Sequence, residues 1–248
     1  MLNFVVTGPT NAPTVILGGS LGSTYRQWDE LVADLSLDHC VIALDHRGHG
    51  ASPAAEPGVR VADLAADVIA VADHFGLEQF DYVGISLGGA VGQELALHHS
   101  NRIRRVVLAC TAPAFGDPAA WHERAQLVRD QGVGVLREGT GERWFTDAVR
   151  SSGRAQSVLD DLVATDESSY AACCEALAAF DVRDRLKDIA VPTLVVGADD
   201  DPVSPPAVIQ AMAAIPSSMT SIISGSRHLA QINQPTAFNA VVREFVSA

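Results

Sequence analysis

The 248-residue chain is 48% hydrophobic and 19% charged, which supplies apolar material for a sizeable core and argues against disorder. Its 17 basic and 30 acidic residues leave a formal net charge of −13, so nucleic acid and anionic membrane surfaces, which both require a basic face, are not expected partners. No stretch reaches the roughly 18 uninterrupted apolar residues of a membrane span. The opening Met1-Leu2-Asn3-Phe4-Val5-Val6-Thr7-Gly8 has no positive segment before a long apolar run, so it is not read as a signal peptide.

Four short apolar runs in the first half read as buried strands: Thr14–Gly18, Cys40–Leu44, Phe80–Ile85 and Val106–Cys110. Helical patterns lie between them, at Trp28–Leu35, Val61–Phe75 and Ser86–His99. Alternation of continuous apolar strands with helices predicts a mostly parallel sheet with helices on both faces. From Ala114 to about Leu186 the sequence reads as helices without a strand. The alternation resumes at Val191–Val196, continues near Met219–Ile223 and ends in a helix from about Thr236 to Val246. The expected organisation is therefore an α/β core over 1–113 and 189–248, with 114–188 a helical insertion. Cys40, Cys110, Cys173 and Cys174 match no zinc spacing and are read as reduced thiols of a cytoplasmic protein.

Gly84-Ile85-Ser86-Leu87-Gly88 follows a predicted strand and opens a predicted helix, the context that the G-x-S-x-G pattern requires. Without that context it would be a glycine-rich turn holding an ordinary serine. A serine hydroxyl is a weak nucleophile at neutral pH and needs a general base oriented by a third group. Where this pattern carries a nucleophile, the partners follow in the order acid, then histidine. The histidine is His228, between the last predicted strand and the final helix. The acid lies in Asp199-Asp200-Asp201. Distance from Val191-Pro192 and from Pro202-Val203-Ser204-Pro205-Pro206 selects Asp201, whereas counting from Gly197 alone selects Asp200. Gly18-Gly19-Ser20-Leu21-Gly22 follows the first of these strands, so the backbone N–H of Leu21 is expected to join that of Leu87 in an oxyanion hole. Asp45-His46-Arg47-Gly48-His49-Gly50 lacks a third metal ligand and is read as a structural turn packed under the catalytic loop.

Together these residues resemble the α/β-hydrolase superfamily over nearly the whole chain. Gly18–Ser23 with Trp28-Asp29, Asp45–Pro53, Gly84–Gln93, Arg143-Trp144-Phe145, Tyr170-Ala171-Ala172-Cys173-Cys174, His228-Leu229 and Asn233-Gln234-Pro235 look more narrowly like the 3-oxoadipate enol-lactonases. Two departures stand out. The segment before Thr14 is short, so the usual opening hairpin is expected to shrink to one strand, and Gly197 sits one place earlier than the family's glycine. The resemblance implies an α/β-hydrolase fold with a helical cap insertion, and hydrolysis of the enol-lactone through an acyl-enzyme on Ser86, with His228 as base and Asp201 orienting it. It implies no metal and no organic cofactor. The substrate would be a small anionic lactone whose carboxylate requires a local cation, and the predicted insertion sets Arg124 beside Trp121 and Arg143 beside Trp144. Either arginine could instead be a surface residue paired with Glu123 or Glu142. Another small carboxylester or carbon–carbon bond hydrolase, or a ligand receptor on the same scaffold, would share these features. The sequence leaves the oligomeric state open.

Overall fold

The computed structural model describes residues 1–216 and 218–248. Seven strands form one sheet: β1 (Phe4–Thr7), β2 (Thr14–Gly18), β3 (Cys40–Leu44), β4 (Phe80–Ile85), β5 (Ile103–Ala109), β6 (Thr193–Ala198) and β7 (Met219–Ile223), in the spatial order β1-β3-β2-β4-β5-β6-β7. β1 runs antiparallel to β3, and every other pairing is parallel. The opening is thus a single edge strand, as expected from its short length.

β2, β3, β4 and β6 are buried at every position, which is why they read as unbroken apolar runs. Core helices α1 (Asp29–Leu35), α2 (Val61–His74) and α3 (Leu87–His98) follow β2, β3 and β4 in turn. Two strand boundaries differ from the sequence reading. β5 starts at Ile103, because Arg104 and Arg105 continue the strand while their guanidinium groups reach the fully buried Asp81 of β4. β6 starts at Thr193 and runs through Gly197 and Ala198, leaving Val191 and Pro192 outside it.

Between β5 and β6 the described elements are helical: α4 (Pro118–Gln131), α5 (Arg137–Trp144), α6 (Asp147–Ser151), α7 (Gln156–Val163) and α8 (Glu167–Ala178). The starts of α4 and α8 are set by side-chain caps: Asp117 accepts from the Ala119 amide, with Pro118 in the first turn, and Asp166 accepts from the Ser169 amide at 2.8 Å. An antiparallel bridge between Ala114 and Asp181 joins the two ends of this segment, beside a 2.8 Å bond from the Val182 amide to the Pro113 carbonyl. Helices α9 (Pro206–Ala211), α10 (Ala230–Asn233) and α11 (Pro235–Val246) complete the chain.

The register places the functional loops side by side. Gly18 pairs with Gly84, Ile85 with Ala109, and Ala109 with Val196, so β2, β4 and β5 end close to one level and β6 runs on past it to Ala198. The chain departs from β2 to β3 on one side and returns to β4 on the other. The loops after β2 and β4 therefore diverge from a crevice at the carboxyl ends of the strands, where open α/β sheets place their ligands.

Candidate active site

Ser86 sits at the junction of β4 and α3 with φ 56° and ψ −113°, a backbone conformation that side chains other than glycine rarely adopt. The surroundings hold it there. Its amide donates to the Ala109 carbonyl at 2.9 Å, and its carbonyl accepts from Thr111 Oγ1 at 2.8 Å and from the Ala90 amide at 3.0 Å. The spacing of glycines is steric: a Cβ on Gly84 would lie 2.1 Å from the Gly88 carbonyl oxygen, and one on Gly88 would lie 2.1 Å from that of Gly18. The Gly88 amide donates to the Gly19 carbonyl at 2.9 Å, which ties this turn to the loop after β2.

His228 is buried, and its Nδ1 lies 2.9 Å from Oδ2 of Asp201. The three consecutive aspartates have three different partners. Asp199 accepts from the amides of Gly225 and Ser226 at 2.9 and 3.1 Å, which holds the turn that carries His228. Asp200 is exposed and pairs with Arg227 at 2.9 Å. Asp201 alone reaches the histidine, and its other oxygen accepts from the Val203 amide at 2.8 Å. Burial acts to raise the Asp201 carboxyl. The facing His228 and the amides of Val203 and Ser204 outweigh it and hold the group below its ordinary value, so it stays ionised. The acid–histidine pairing is therefore the one selected by the flanking prolines and not the one selected by Gly197.

Ser86 and His228 open into a cavity of about 330 Å³ whose walls include Leu21, Trp121, Arg124, Arg143, Trp144 and Tyr170. Among the described residues the Leu21 and Leu87 amides have no acceptor, so both N–H groups are free at the serine end. The inserted helices are tied to the histidine loop: the Leu229 amide donates to the Trp144 carbonyl at 3.2 Å, and Asn233 Nδ2 donates to the same carbonyl at 2.8 Å.

Arg124 and Arg143 differ from the rest of the chain's arginines. Among the described residues every other arginine forms an ion pair with a carboxylate, and these two form none. Pairing with Glu123 or Glu142 does not occur. Among the described residues the Arg143 guanidinium bonds only the Thr140 hydroxyl, at 3.1 Å, and burial and the neighbouring Arg124 both lower its pKa. Arg124 donates from Nε and Nη2 to the Tyr170 hydroxyl at 3.0 and 2.6 Å, and lies 5.8 Å from the Trp121 ring centroid. Burial pushes the Tyr170 phenol up to about 12, against the opposing pull of Arg124. The phenol thus stays neutral and orients Arg124 without cancelling its charge. Trp121 donates from Nε1 to the Phe115 carbonyl at 2.6 Å and Trp144 is buried, so both rings are fixed walls. Tyr170, Pro202 and Val203 were not expected in the cavity. Only the Tyr-Ala-Ala-Cys-Cys resemblance pointed near the first of them.

The Ser86 turn, the buried acid–histidine pair and the strand order together define the architecture, and the comparisons agree. A model of the alpha/beta hydrolase fold matches residues 13–235. The chain belongs to the alpha/beta hydrolase fold family. Within it, 3-oxoadipate enol-lactonase 2 of Acinetobacter baylyi is 37% identical over 97% of this chain and 91% of that protein. The putative carbamate hydrolase RutD of Variovorax paradoxus is 31% identical over 99% of this chain and 96% of that protein. The crystal structure of the enol-lactonase from Burkholderia xenovorans LB400 superposes with a TM-score of 0.96 at 32% identity, covering 100% of this chain and 96% of that one. The protein is accordingly a hydrolase. Among the described residues no helix is long and apolar enough to cross a membrane, and all four cysteines are free and buried.

Proposed function

We propose that this hydrolase opens 3-oxoadipate enol-lactone to 3-oxoadipate, a step of aromatic-compound catabolism, with the helical segment 114–188 as a cap over the strand ends. The observation that carries the reading is the pair of arginines without counter-charges, Arg124 and Arg143, in one cavity with Ser86 and His228. A chain of net charge −13 has carboxylates to spare, so two unmatched cations in a partly buried pocket fit a substrate that brings its own anion. The acetate arm of the lactone would supply it.

In this mechanism His228 takes the Ser86 proton through Nε2 while Oγ adds to the lactone carbonyl. Ionised Asp201 holds the ring with Nδ1–H toward itself and stabilises the imidazolium. The N–H groups of Leu21 and Leu87 receive the oxyanion, with a contribution on the order of 3 kcal/mol each. The ring C–O bond then breaks and His228 returns the proton to the departing enol oxygen. Water activated by His228 cleaves the acyl-enzyme, and the released enol tautomerises to the ketone. Trp121 and Trp144 would wall the ring. None of these steps calls on a metal or a cofactor.

The test is a continuous assay of the purified protein on the enol-lactone, an uncharged lactone of the same ring size and a small carbamate. The enol-lactone should exceed the uncharged lactone in kcat/KM by about tenfold or more, the worth of a charged hydrogen bond. Preference for the carbamate would move the reading toward the activity named for the RutD relatives. Binding without repeated turnover would favour a receptor.

A further inference from the structure

The turn Asp45–Ser52 lies outside the catalytic chemistry, yet it carries two fully buried histidines. His49 Nε2 lies 2.7 Å from the Gly22 amide, and its Nδ1 lies 3.1 Å from the Arg47 carbonyl. A carbonyl can only accept, so Nδ1 carries the proton and Nε2 offers its lone pair to Gly22 N–H. Burial lowers the His49 pKa against the pull of the Arg47 and His46 carbonyls and of Asp45, which keeps the ring neutral and that lone pair available.

On the other side of Leu21, the Ser23 hydroxyl donates to the Ser20 carbonyl at 2.7 Å. Ser23 Oγ in turn accepts from Gln27 Nε2, and Gln27 Oε1 accepts from Gln231 Nε2 at 3.1 Å. These amides are buried, and Gln231 belongs to α10, directly after His228.

The two anchors act on successive peptide planes. The Ser20 carbonyl and the Leu21 N–H share one trans peptide and point in opposite directions, so holding the carbonyl aims the N–H. The Gly22 N–H belongs to the next peptide. With both planes fixed, the two dihedrals of Leu21 are fixed as well. We infer that His49 and the Ser23–Gln27–Gln231 relay are positioning residues that hold the Leu21 N–H at the oxyanion, one from each side. The inference rests on the reading of Leu21 as an oxyanion donor. An oxyanion donor contributes only when charge develops, so misaiming it should reduce transition-state binding and spare ground-state binding.

The experiment measures kcat and KM on 4-nitrophenyl acetate, and inhibition by phenylboronic acid, for the wild type, Ser86→Ala, His49→Leu, His49→Gln and Ser23→Ala. A boronic acid forms a tetrahedral adduct on the serine and places an oxygen in the hole, whereas KM reports chiefly on the planar ester. His49→Leu should lower kcat and boronate affinity by about tenfold to a hundredfold with KM within about twofold. His49→Gln, whose Oε1 can accept from Gly22, should restore most of the loss. Ser23→Ala should show the same split more weakly. A folded His49→Leu with wild-type kcat and boronate affinity, or one in which KM rises in step with the loss, would overturn the inference. If His49→Leu does not fold, the Ser23→Ala split decides in the same way. A wild type that neither turns over the ester faster than Ser86→Ala nor binds the boronate would instead refute the hydrolytic site itself, and the inference with it.

Discussion

At the strand ends the charged groups are matched. Asp201 faces His228, Asp200 pairs with Arg227, and Asp199 accepts from two backbone amides. In the helices between β5 and β6, Arg124 and Arg143 face the same cavity, and burial and the neighbouring Arg124 lower the Arg143 pKa against the smaller opposing pulls of Tyr170 and Glu142, with no ion pair to either arginine among the described residues. The strand ends thus have their charges paired before any ligand arrives. The insertion presents unpaired ones, which an anionic ligand would match. On the proposed reading, chemistry and choice of substrate belong to different parts of the chain, and each assignment can be broken separately.

The largest effect should come from the sheet. Ser86→Ala removes the proposed nucleophile and leaves its backbone bonds to Ala109 and Thr111 in place. Turnover of charged and uncharged esters alike should fall by about 10⁴-fold or more, with a residue of activity from the oxyanion donors and binding. Thermal unfolding should shift little, or upward if alanine relaxes the turn. Near-native turnover by this variant would sink the mechanism.

The aspartates come next. Asp201→Asn keeps the shape and loses the charge that orients His228, so kcat should fall by about 10³- to 10⁴-fold on every ester. Asp200→Asn, exposed and paired only with Arg227, should stay within about twofold of wild type. Because the Asp201 carboxyl is held below its ordinary value, its contribution to stability is full above the ordinary carboxylate range and is lost as pH falls through the lowered value. The acid limb of the wild-type unfolding curve should therefore be steeper than that of Asp201→Asn, as measured by denaturation midpoints against pH.

The same division explains what the sequence displayed. Strand ends and the turn at Ser86 were legible because sterics dictate them: Gly84 and Gly88 have no room for a Cβ, and β2, β3, β4 and β6 are buried throughout. The choice among Asp199, Asp200 and Asp201 was narrower, since all three lie on one loop and only the distances to the flanking prolines separated them. The insertion was legible as helix, but whether Arg124 and Arg143 were paired was not, because an ion pair depends on tertiary neighbours such as Tyr170, 46 positions away from Arg124. The link from His49 to Gly22 was foreshadowed only as a structural turn, since a hydrogen bond across 27 positions leaves no local pattern.

Arg143→Ala and Arg124→Ala should act on charge and not on chemistry. At least one of them should weaken kcat/KM for the anionic lactone by about 1.5–3 kcal/mol while sparing an uncharged ester of similar size. Arg143 is the variant expected to show the larger effect, because among the described residues its guanidinium bonds only the Thr140 hydroxyl and is the less committed of the two. Equal losses on both substrates would mean that the arginine supports the packing of the helices between β5 and β6, and no selective loss in either variant would place the carboxylate elsewhere.

Tyr170→Phe should give the smallest effect and the finest reading of the comparison. The phenol accepts two hydrogen bonds from Arg124 and contributes no charge, being pushed up to about 12 by burial. Its removal leaves the cation in the cavity but frees the fork to turn. If the insertion acts by charge alone, the anionic lactone should be used as well as before. If it acts by aiming that charge, KM for the anionic lactone should rise by about threefold to tenfold, with kcat and the uncharged ester unchanged. The fixed walls of Trp121 and Trp144 and the two-point hold on Arg124 favour aiming. A drop in kcat on both substrates would instead show that the Tyr170 hydroxyl serves the serine end of the cavity, and the separation between sheet and insertion would no longer stand.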